Sequence, residues 1–154
     1  HFTDRRQRQM CIRDRGYCHQ CGEYATISYQ QLGKSRCYDQ EEKQDYNYTI
    51  SGAMWLGNLH NKEYLKTMKN LAINLKWRKV SDLLSTMINE SNFPPYFYTL
   101  GEIGRRGKLD IPKRSQLITA LENQGFSATI THINPQAIKT NATLKKCIYI
   151  ALVS

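Results

Sequence analysis

The segment TLGEIGRRGKLDIPKRSQLITALENQGFSATITHINPQAIKT, residues 99–140, predicts a short helix at its start. Thr99 and Glu102 have the spacing of a capping box, in which a hydroxyl accepts from a first-turn amide and a carboxylate follows three residues later. Leu100 and Ile103 supply the apolar side of this helix. The glycines that follow are expected to end it.

A second helix and a strand complete the same segment. Pro112 suits the first helical position, where no backbone donor is needed, and Gly125 suits the left-handed residue that ends a helix. Residues 126–130 then alternate apolar and polar side chains, as in a half-buried strand. The order helix, turn, helix, strand predicts a winged-helix-like unit.

Helices are also predicted on both sides of this unit. Asn61 is the predicted cap of an amphipathic helix, and Ser81 that of a shorter one. Thr140 or Asn141 is predicted to cap a last helix. The predicted inward residues of the first helix are Tyr64, Leu65, Met68, Leu71, Ala72 and Leu75. His60, just before that helix, is predicted to be a capping or packing residue.

The cysteines near the amino-terminal end have the spacing of a metal-binding knuckle. Cys18 and Cys21 form a Cys-x-x-Cys pair, and Cys37 follows, but Gln40 stands where a second pair would be completed. Structural zinc sites use four ligands, and glutamine is a poor one. Two interpretations stay open, a zinc site with a doubtful fourth ligand and a degenerate zinc-ribbon-like segment without metal.

These patterns predict an α+β chain in three parts. Residues 1–15 read as a non-native leader that resembles translated sequencing adapter, and we exclude them from the fold. Residues 16–52 form the zinc-knuckle-like segment, and residues 53–154 form a mainly helical domain. Removing the five Arg and two Asp of the leader lowers the net charge from +9 to +6, so the chain stays basic.

The basic residues cluster and indicate a polyanionic partner. The strongest group surrounds the first two helices of the winged-helix-like unit. Its members are Arg105, Arg106, Lys108, Lys113 and Arg114. In the loop at residues 131–140, donors to phosphate and sugar are expected from His132, Asn134, Lys139 and Thr140. The alternative for this loop is a rigid connection with incidental polarity.

Motifs for catalysis are missing from the sequence. It contains no glycine-rich nucleotide loop, no HExxH and no nucleophile with a paired base. No apolar run approaches the roughly 20 residues that a membrane span needs. We therefore expect a cytoplasmic binding protein or portion of an enzyme, without evident protein partners.

Three segments carry a resemblance to a known family. AMWLGNLHNKEYLKTM (53–68), PPYFYTLGEIGRRGKLDIPKRSQLITALENQGF (94–126) and above all THINPQAIKT (131–140) resemble the carboxy-terminal region of the tRNA guanine-N2 dimethyltransferases acting at tRNA position 26. The resemblance runs from about Tyr17 to the end of the chain.

The resemblance implies that this portion of the enzyme binds and positions tRNA. The family uses S-adenosylmethionine, which its amino-terminal Rossmann-like half binds, and no donor-binding or catalytic motif of that half has a counterpart here. The chain alone is therefore expected to be inactive. Some members hold zinc with four cysteines in this region, and Cys18, Cys21 and Cys37 match three of them.

Two other functions stay open from the residues alone. One is a stand-alone winged-helix nucleic-acid-binding module without enzymatic activity. The other is a structural zinc-ribbon interaction domain.

Overall fold

The computed structural model describes residues 12–39 and 43–153. The chain divides into two compact units, His1–Gly57 and Asn58–Ser154. The sequence-based boundary between residues 52 and 53 instead falls inside a strand. Most of the proposed leader lies outside the described residues, but its last four residues belong to the first strand of the fold.

The described residues of the first unit form short antiparallel strands and one 3₁₀ helix, Tyr29–Gln31. The strands β1 (Ile12–Tyr17), β2 (Tyr24–Ile27) and β5 (Thr49–Trp55) form one sheet in the order β2-β1-β5. The strands β3 (Arg36–Asp39) and β4 (Gln44–Asn47) form a separate hairpin. Three buried cysteines, packed against Tyr46 and Tyr48, form a small core of this unit. The unit buries little apolar surface, in agreement with the low apolar content of its sequence.

The second unit contains a small antiparallel sheet of three strands, β6 (Tyr98–Thr99), β7 (Ala128–Ile130) and β8 (Ala137–Thr140). Their order in the sheet is β6-β8-β7. Its helices are α1 (Lys62–Asn74), α2 (Arg78–Asn89), α3 (Leu100–Gly107), α4 (Arg114–Asn123) and α5 (Leu144–Val153). The helices α3 and α4 pack on α5, and α4 also packs on the sheet. Fully buried side chains fill this core, namely Ile103, Leu117, Leu121, Ile138, Leu144 and Cys147.

Local signals in the sequence placed several boundaries correctly. Tyr64 N donates to Asn61 Oδ1 at 3.0 Å, and Glu102 N donates to Thr99 Oγ1 at 3.2 Å, which confirms both predicted caps. Gly125 has φ 81°, and it ends α4 as predicted. The predicted order helix, turn, helix, strand is present as α3, α4 and β7.

Other boundaries differ from the prediction. The helix α2 begins at Arg78 with Trp77 as its N-cap, four residues before the predicted cap Ser81, and α4 begins at Arg114 instead of Pro112. The cap of the last helix is Thr143, whose hydroxyl accepts from Lys146 N at 3.3 Å. Of these three helices only the last has a side-chain cap, because neither Trp77 nor Lys113 accepts a hydrogen bond from the first turn that follows it.

The hairpin of α1 and α2 is less covered than its sequence pattern predicts. The two helices pack on each other, and of the predicted inward residues of α1 only Leu65 and Ala72 are buried. Tyr64, Met68 and Leu71 are exposed. The apolar stripe is therefore wider than the surface that a single partner helix covers. Among the described residues, no helix is both long and apolar enough to cross a membrane.

Candidate functional site

A buried cluster of charged side chains lies in the second unit, where the end of α2 meets β8. Glu90 is the C-cap of α2 and is 1% exposed, and Lys139 on β8 is also 1% exposed. Lys139 Nζ lies 3.2 Å from Glu90 Oε2, an ion pair by distance that lacks the alignment of a hydrogen bond. The loop after β7 adds His132, whose backbone N donates to Glu90 Oε1 at 3.4 Å and whose ring Nδ1 bonds the same oxygen.

His60 completes this cluster from the segment before α1. Its Nε2 lies 3.9 Å from Glu90 Oε1, and its ring meets that of His132 edge to face with centroids 5.5 Å apart. Within the described part of the chain, His60 Nε2 is buried without a hydrogen-bond partner. His60 is therefore a packing residue, as predicted, but one packed against a carboxylate.

Burial and charge act in opposite directions on this cluster. Burial works to raise the pKa of Glu90, but hydrogen bonds from His132 and Thr131 and the charge of Lys139 outweigh it, so the pKa is lowered. Burial lowers the pKa of His60, and the Glu90 carboxylate only partly compensates. Glu90 is thus held ionised, while His60 is held neutral.

The side chains of His60, Glu90 and His132 are also of the types that bind metal ions, with ligand atoms within 4.8 Å of one another. Lys139 already places a buried ammonium beside the same carboxylate. A second cation would be repelled at this distance in a poorly solvated site. The arrangement is therefore best described as an internal ionic lock.

The loop at residues 131–140 is built as a rigid connection. Gln136 N donates to Asn134 Oδ1 at 2.8 Å, and Ile133 N donates to Thr131 Oγ1 at 3.3 Å. Thr140 is buried, and its hydroxyl donates to Ser127 O at 2.8 Å. The structure thus uses the side chains of Lys139, Asn134 and Thr140 internally, where the sequence predicted phosphate contacts. A rigid connection was the alternative for this loop.

Three of the five predicted cations at α3 and α4 are exposed, and two of the five share an acid. Arg105 Nη2 donates to Glu102 Oε2 at 2.9 Å, and Arg106 pairs with the same carboxylate. Burial opposes ionisation, but the two arginines outweigh it and lower the pKa of Glu102. Arg105 keeps 68% of its side chain exposed, whereas Arg106 keeps 13%.

The remaining members of this group differ in accessibility. Lys108 caps α3 in the left-handed conformation and is exposed, and Lys113 caps α4 and is exposed. Arg114 is half-buried, and its guanidinium donates to Pro135 O. The accessible charge around α3 and α4 is therefore carried mainly by Arg105, Lys108 and Lys113.

Three cysteines of the first unit, Cys18, Cys21 and Cys37, lie close together, in keeping with the knuckle spacing. Cys21 Sγ lies 3.3 Å from Cys37 Sγ, and the three sulfurs lie within 4.8 Å of one another. The turn is closed by Gly22 N donating to Cys18 O at 2.8 Å. Burial raises the pKa of Cys21 to about 12, while hydrogen bonds from Cys21 and Cys37 outweigh burial and lower that of Cys18. Gln40 lies outside the described residues.

Sequence reasoning missed Glu90 and the exposed Trp77. A signal for Glu90 existed, because an acidic residue at a helix C-terminus opposes the helix dipole and needs a compensating partner. A signal for Trp77 was its position in Lys76-Trp77-Arg78-Lys79, an aromatic residue among three cations.

Comparisons with known proteins place the chain in one family. The family model described as N2,N2-dimethylguanosine tRNA methyltransferase matches residues 3–151. A tRNA (guanine(26)-N(2))-dimethyltransferase of Methanocaldococcus jannaschii is 27% identical over 96% of this chain and 40% of its own length. The corresponding protein of Methanobrevibacter smithii is 38% identical over 62% of this chain and 26% of its own length.

A solved structure supports the fold. The structure of Trm1 from Pyrococcus horikoshii with S-adenosyl-L-methionine matches 91% of this chain and 35% of its own chain, with a TM-score of 0.70 and 24% identity. The chain thus spans well under half the length of these relatives. It belongs to the N2,N2-dimethylguanosine tRNA methyltransferase family.

Proposed function

We propose that this chain is the tRNA-gripping portion of an S-adenosylmethionine-dependent tRNA guanine-N2 dimethyltransferase that acts in the cytoplasm. Family membership supports the reaction class. The observation that carries the binding role is the set of exposed cations at α3 and α4, Arg105, Lys108 and Lys113. In this proposal residues 53–154 form the tRNA-binding domain, with α3, α4 and β7 as its winged-helix-like unit.

The donor and the catalytic groups are proposed to lie in sequence beyond these 154 residues. The chain contains no glycine-rich donor loop, and its relatives are more than twice as long. We expect this chain to bind tRNA and to transfer no methyl group from S-adenosylmethionine by itself.

A zinc ion is part of the same proposal. Two sulfurs from the turn after β1 and one from β3 lie within 4.8 Å of one another, which suits soft, tetrahedral coordination with an additional fourth ligand. Cys18, Cys21 and Cys37 would hold the ion, and its role would be to cross-link the knuckle to β3. This zinc would be structural.

Binding of fluorescein-labelled tRNA transcript, followed by anisotropy at increasing salt, tests the function. Counterion release predicts that log K falls linearly with log salt, with a slope of roughly 0.7–0.9 per phosphate contact. Salt-independent binding, or no binding at low ionic strength, contradicts the proposal.

A further inference from the structure

The junction between α1 and α2 forms a surface cavity of about 470 Å³. Its lining combines apolar and cationic side chains, Ala72, Ile73, Lys76, Trp77, Arg78 and Ser81. Its volume lies within the range of small-molecule sites, roughly 300–1,000 Å³. A single nucleotide therefore fits its size.

The backbone fixes Trp77 at this junction. Lys76 N donates to Ile73 O at 3.0 Å and Trp77 N donates to Ala72 O at 2.8 Å, the two bonds of a Schellman motif at the end of α1. Lys76 takes the left-handed position with φ 58°, where glycine is usual. Trp77 is also the N-cap of α2, yet 57% of it is exposed. The backbone thus places a large, mostly exposed aromatic side chain beside a cavity instead of in a core.

The cations beside this ring have no acidic partner among the described residues. Lys76, Arg78 and Lys79 are exposed and make no ion pair there. Arg78 and Lys79 stand in the first turn of α2, which contains no acidic residue and has no side-chain cap. Positive charges at a helix N-terminus interact unfavourably with the helix dipole. An anion bound there would be stabilised both by the dipole and by these basic side chains.

We propose that this junction is a nucleotide subsite of the tRNA interface, in which one base stacks on Trp77 while Lys76, Arg78 and Lys79 hold the flanking phosphates. The inference rests on the proposed function and adds a second contact region to the α3–α4 surface. A stacked base and a neighbouring phosphate are the two features that this combination of side chains recognises in single-stranded RNA. The bound nucleotide is therefore an unpaired one.

An apolar protein partner fits this surface less well. Ile73, Leu75 and Val80 are exposed near Trp77 and could contact a protein. Covering them would also desolvate three cations that have no acidic partner in the described part of the chain, which is costly without an acid opposite each one. RNA supplies the ring and the anions together.

The chain offers a direct optical test. It contains two tryptophans, so Trp55→Phe leaves Trp77 as the single indole. Titration of this variant with unmodified tRNA transcript is expected to quench Trp77 emission in parallel with the anisotropy of labelled tRNA. The reverse variant, Trp77→Phe, reports on Trp55 and is expected to show no such parallel change.

Affinity supplies the second measurement. Trp77→Ala is expected to weaken tRNA binding about tenfold, since stacking on one aromatic side chain is worth on the order of that factor or more. Tyr64→Ala is the matched control, because Tyr64 is 67% exposed on the same hairpin and lies ten residues, or about 15 Å, before the end of α1 at Asn74. Its affinity should equal that of the unchanged chain.

The outcomes separate this subsite from the wider function. If tRNA binds with the expected salt dependence but Trp77 emission and the Trp77→Ala affinity stay unchanged, the subsite is wrong and the proposed function stands. If no variant binds tRNA, both fail. If Trp77 emission shifts to the blue with protein concentration and sedimentation shows dimers, the surface pairs with a second copy and the subsite is again overturned.

Discussion

Glu90 at the end of α2 and Lys139 on β8 form an ion pair of 3.2 Å in which each residue is 1% exposed. The pair joins a hairpin that packs chiefly on itself to the sheet of the second unit. Removing one partner of a buried ion pair leaves an uncompensated buried charge. This lowers the free energy of unfolding more than replacing both partners with uncharged residues does.

Lys139→Met should therefore lower the free energy of unfolding by about 3–5 kcal/mol, because the Glu90 carboxylate remains buried without its cation. Urea unfolding measures the change. The double variant Glu90→Gln/Lys139→Met should recover part of the loss. Lys66→Met is the control, since its pair with Glu63 is exposed to solvent and should contribute little to stability. Equal losses of unfolding free energy in Lys139→Met and Lys66→Met would contradict a stabilising role for the buried pair of Glu90 and Lys139.

The same cluster predicts how stability depends on pH. The pKa of His60 is lowered from its usual 6.5. Just below that pH, His60 is therefore protonated in the unfolded chain but still neutral in the folded one. The free energy of unfolding consequently falls as the pH decreases. The pKa of Glu90 is lowered from 4.5, so its contribution is present above that pH and is lost as the pH falls through the folded value. The groups facing His60 are Glu90, His132 and Lys139.

Thermal unfolding between pH 7.5 and 3 should show both effects. We expect the melting temperature to decline from about pH 6.5 downward, and His60→Gln should flatten the upper part of that decline while leaving the lower part. A variant that keeps the full slope just below pH 6.5 would assign the proton uptake to another group.

Local features of this fold could be predicted from the sequence, and non-local ones could not. The caps at Asn61 and Thr99 and the turn at Gly125 depend on residues within a few positions of one another, so their patterns are visible in the chain. The contact of His132 with Glu90 spans 42 residues, and no periodicity encodes it.

The candidate site shows the same limit in a different form. The charge of Lys139 marked it as a phosphate contact, because composition does not reveal which lysine is buried against an acid. The spacing of Cys18 and Cys21 predicted their convergence, but the approach of Cys37 to 3.3 Å from Cys21 depends on how the β3–β4 hairpin folds back. Charge and spacing therefore identified candidates, and burial decided among them.

Zinc should bind to the chain and stabilise the first unit. Three thiolates give lower affinity than four, so we expect about one zinc per chain that a strong chelator removes, with a fall in melting temperature on removal. Metal analysis of the purified chain and of Cys37→Ser measures this. Cys147→Ser is the control, because Cys147 lies in the core of the second unit. Metal retained in Cys37→Ser would exclude the three-cysteine site.

The surface cations should contribute to tRNA affinity in proportion to their exposure. Arg105→Gln, Lys108→Gln and Lys113→Gln should each weaken binding and reduce the salt slope by roughly 0.7–0.9. Lys34→Gln, an exposed lysine of the first unit, is the comparison. A triple variant of the α3–α4 group with an unchanged slope would move the phosphate contacts elsewhere.

Lys76 should lower the stability of the fold while raising its affinity for RNA. Its φ of 58° is a conformation that a side chain disfavours by about 1 kcal/mol, so Lys76→Gly should raise the free energy of unfolding by up to that amount while weakening tRNA binding. Gly125→Ala tests the same conformation in reverse, since Gly125 has φ 81° and nothing lies within 4 Å of an added Cβ. That variant should lose about 1 kcal/mol and keep its affinity for tRNA. Urea unfolding and anisotropy on the same samples separate the two effects, and a Lys76→Gly chain that gains stability with full affinity would remove Lys76 from the nucleotide subsite.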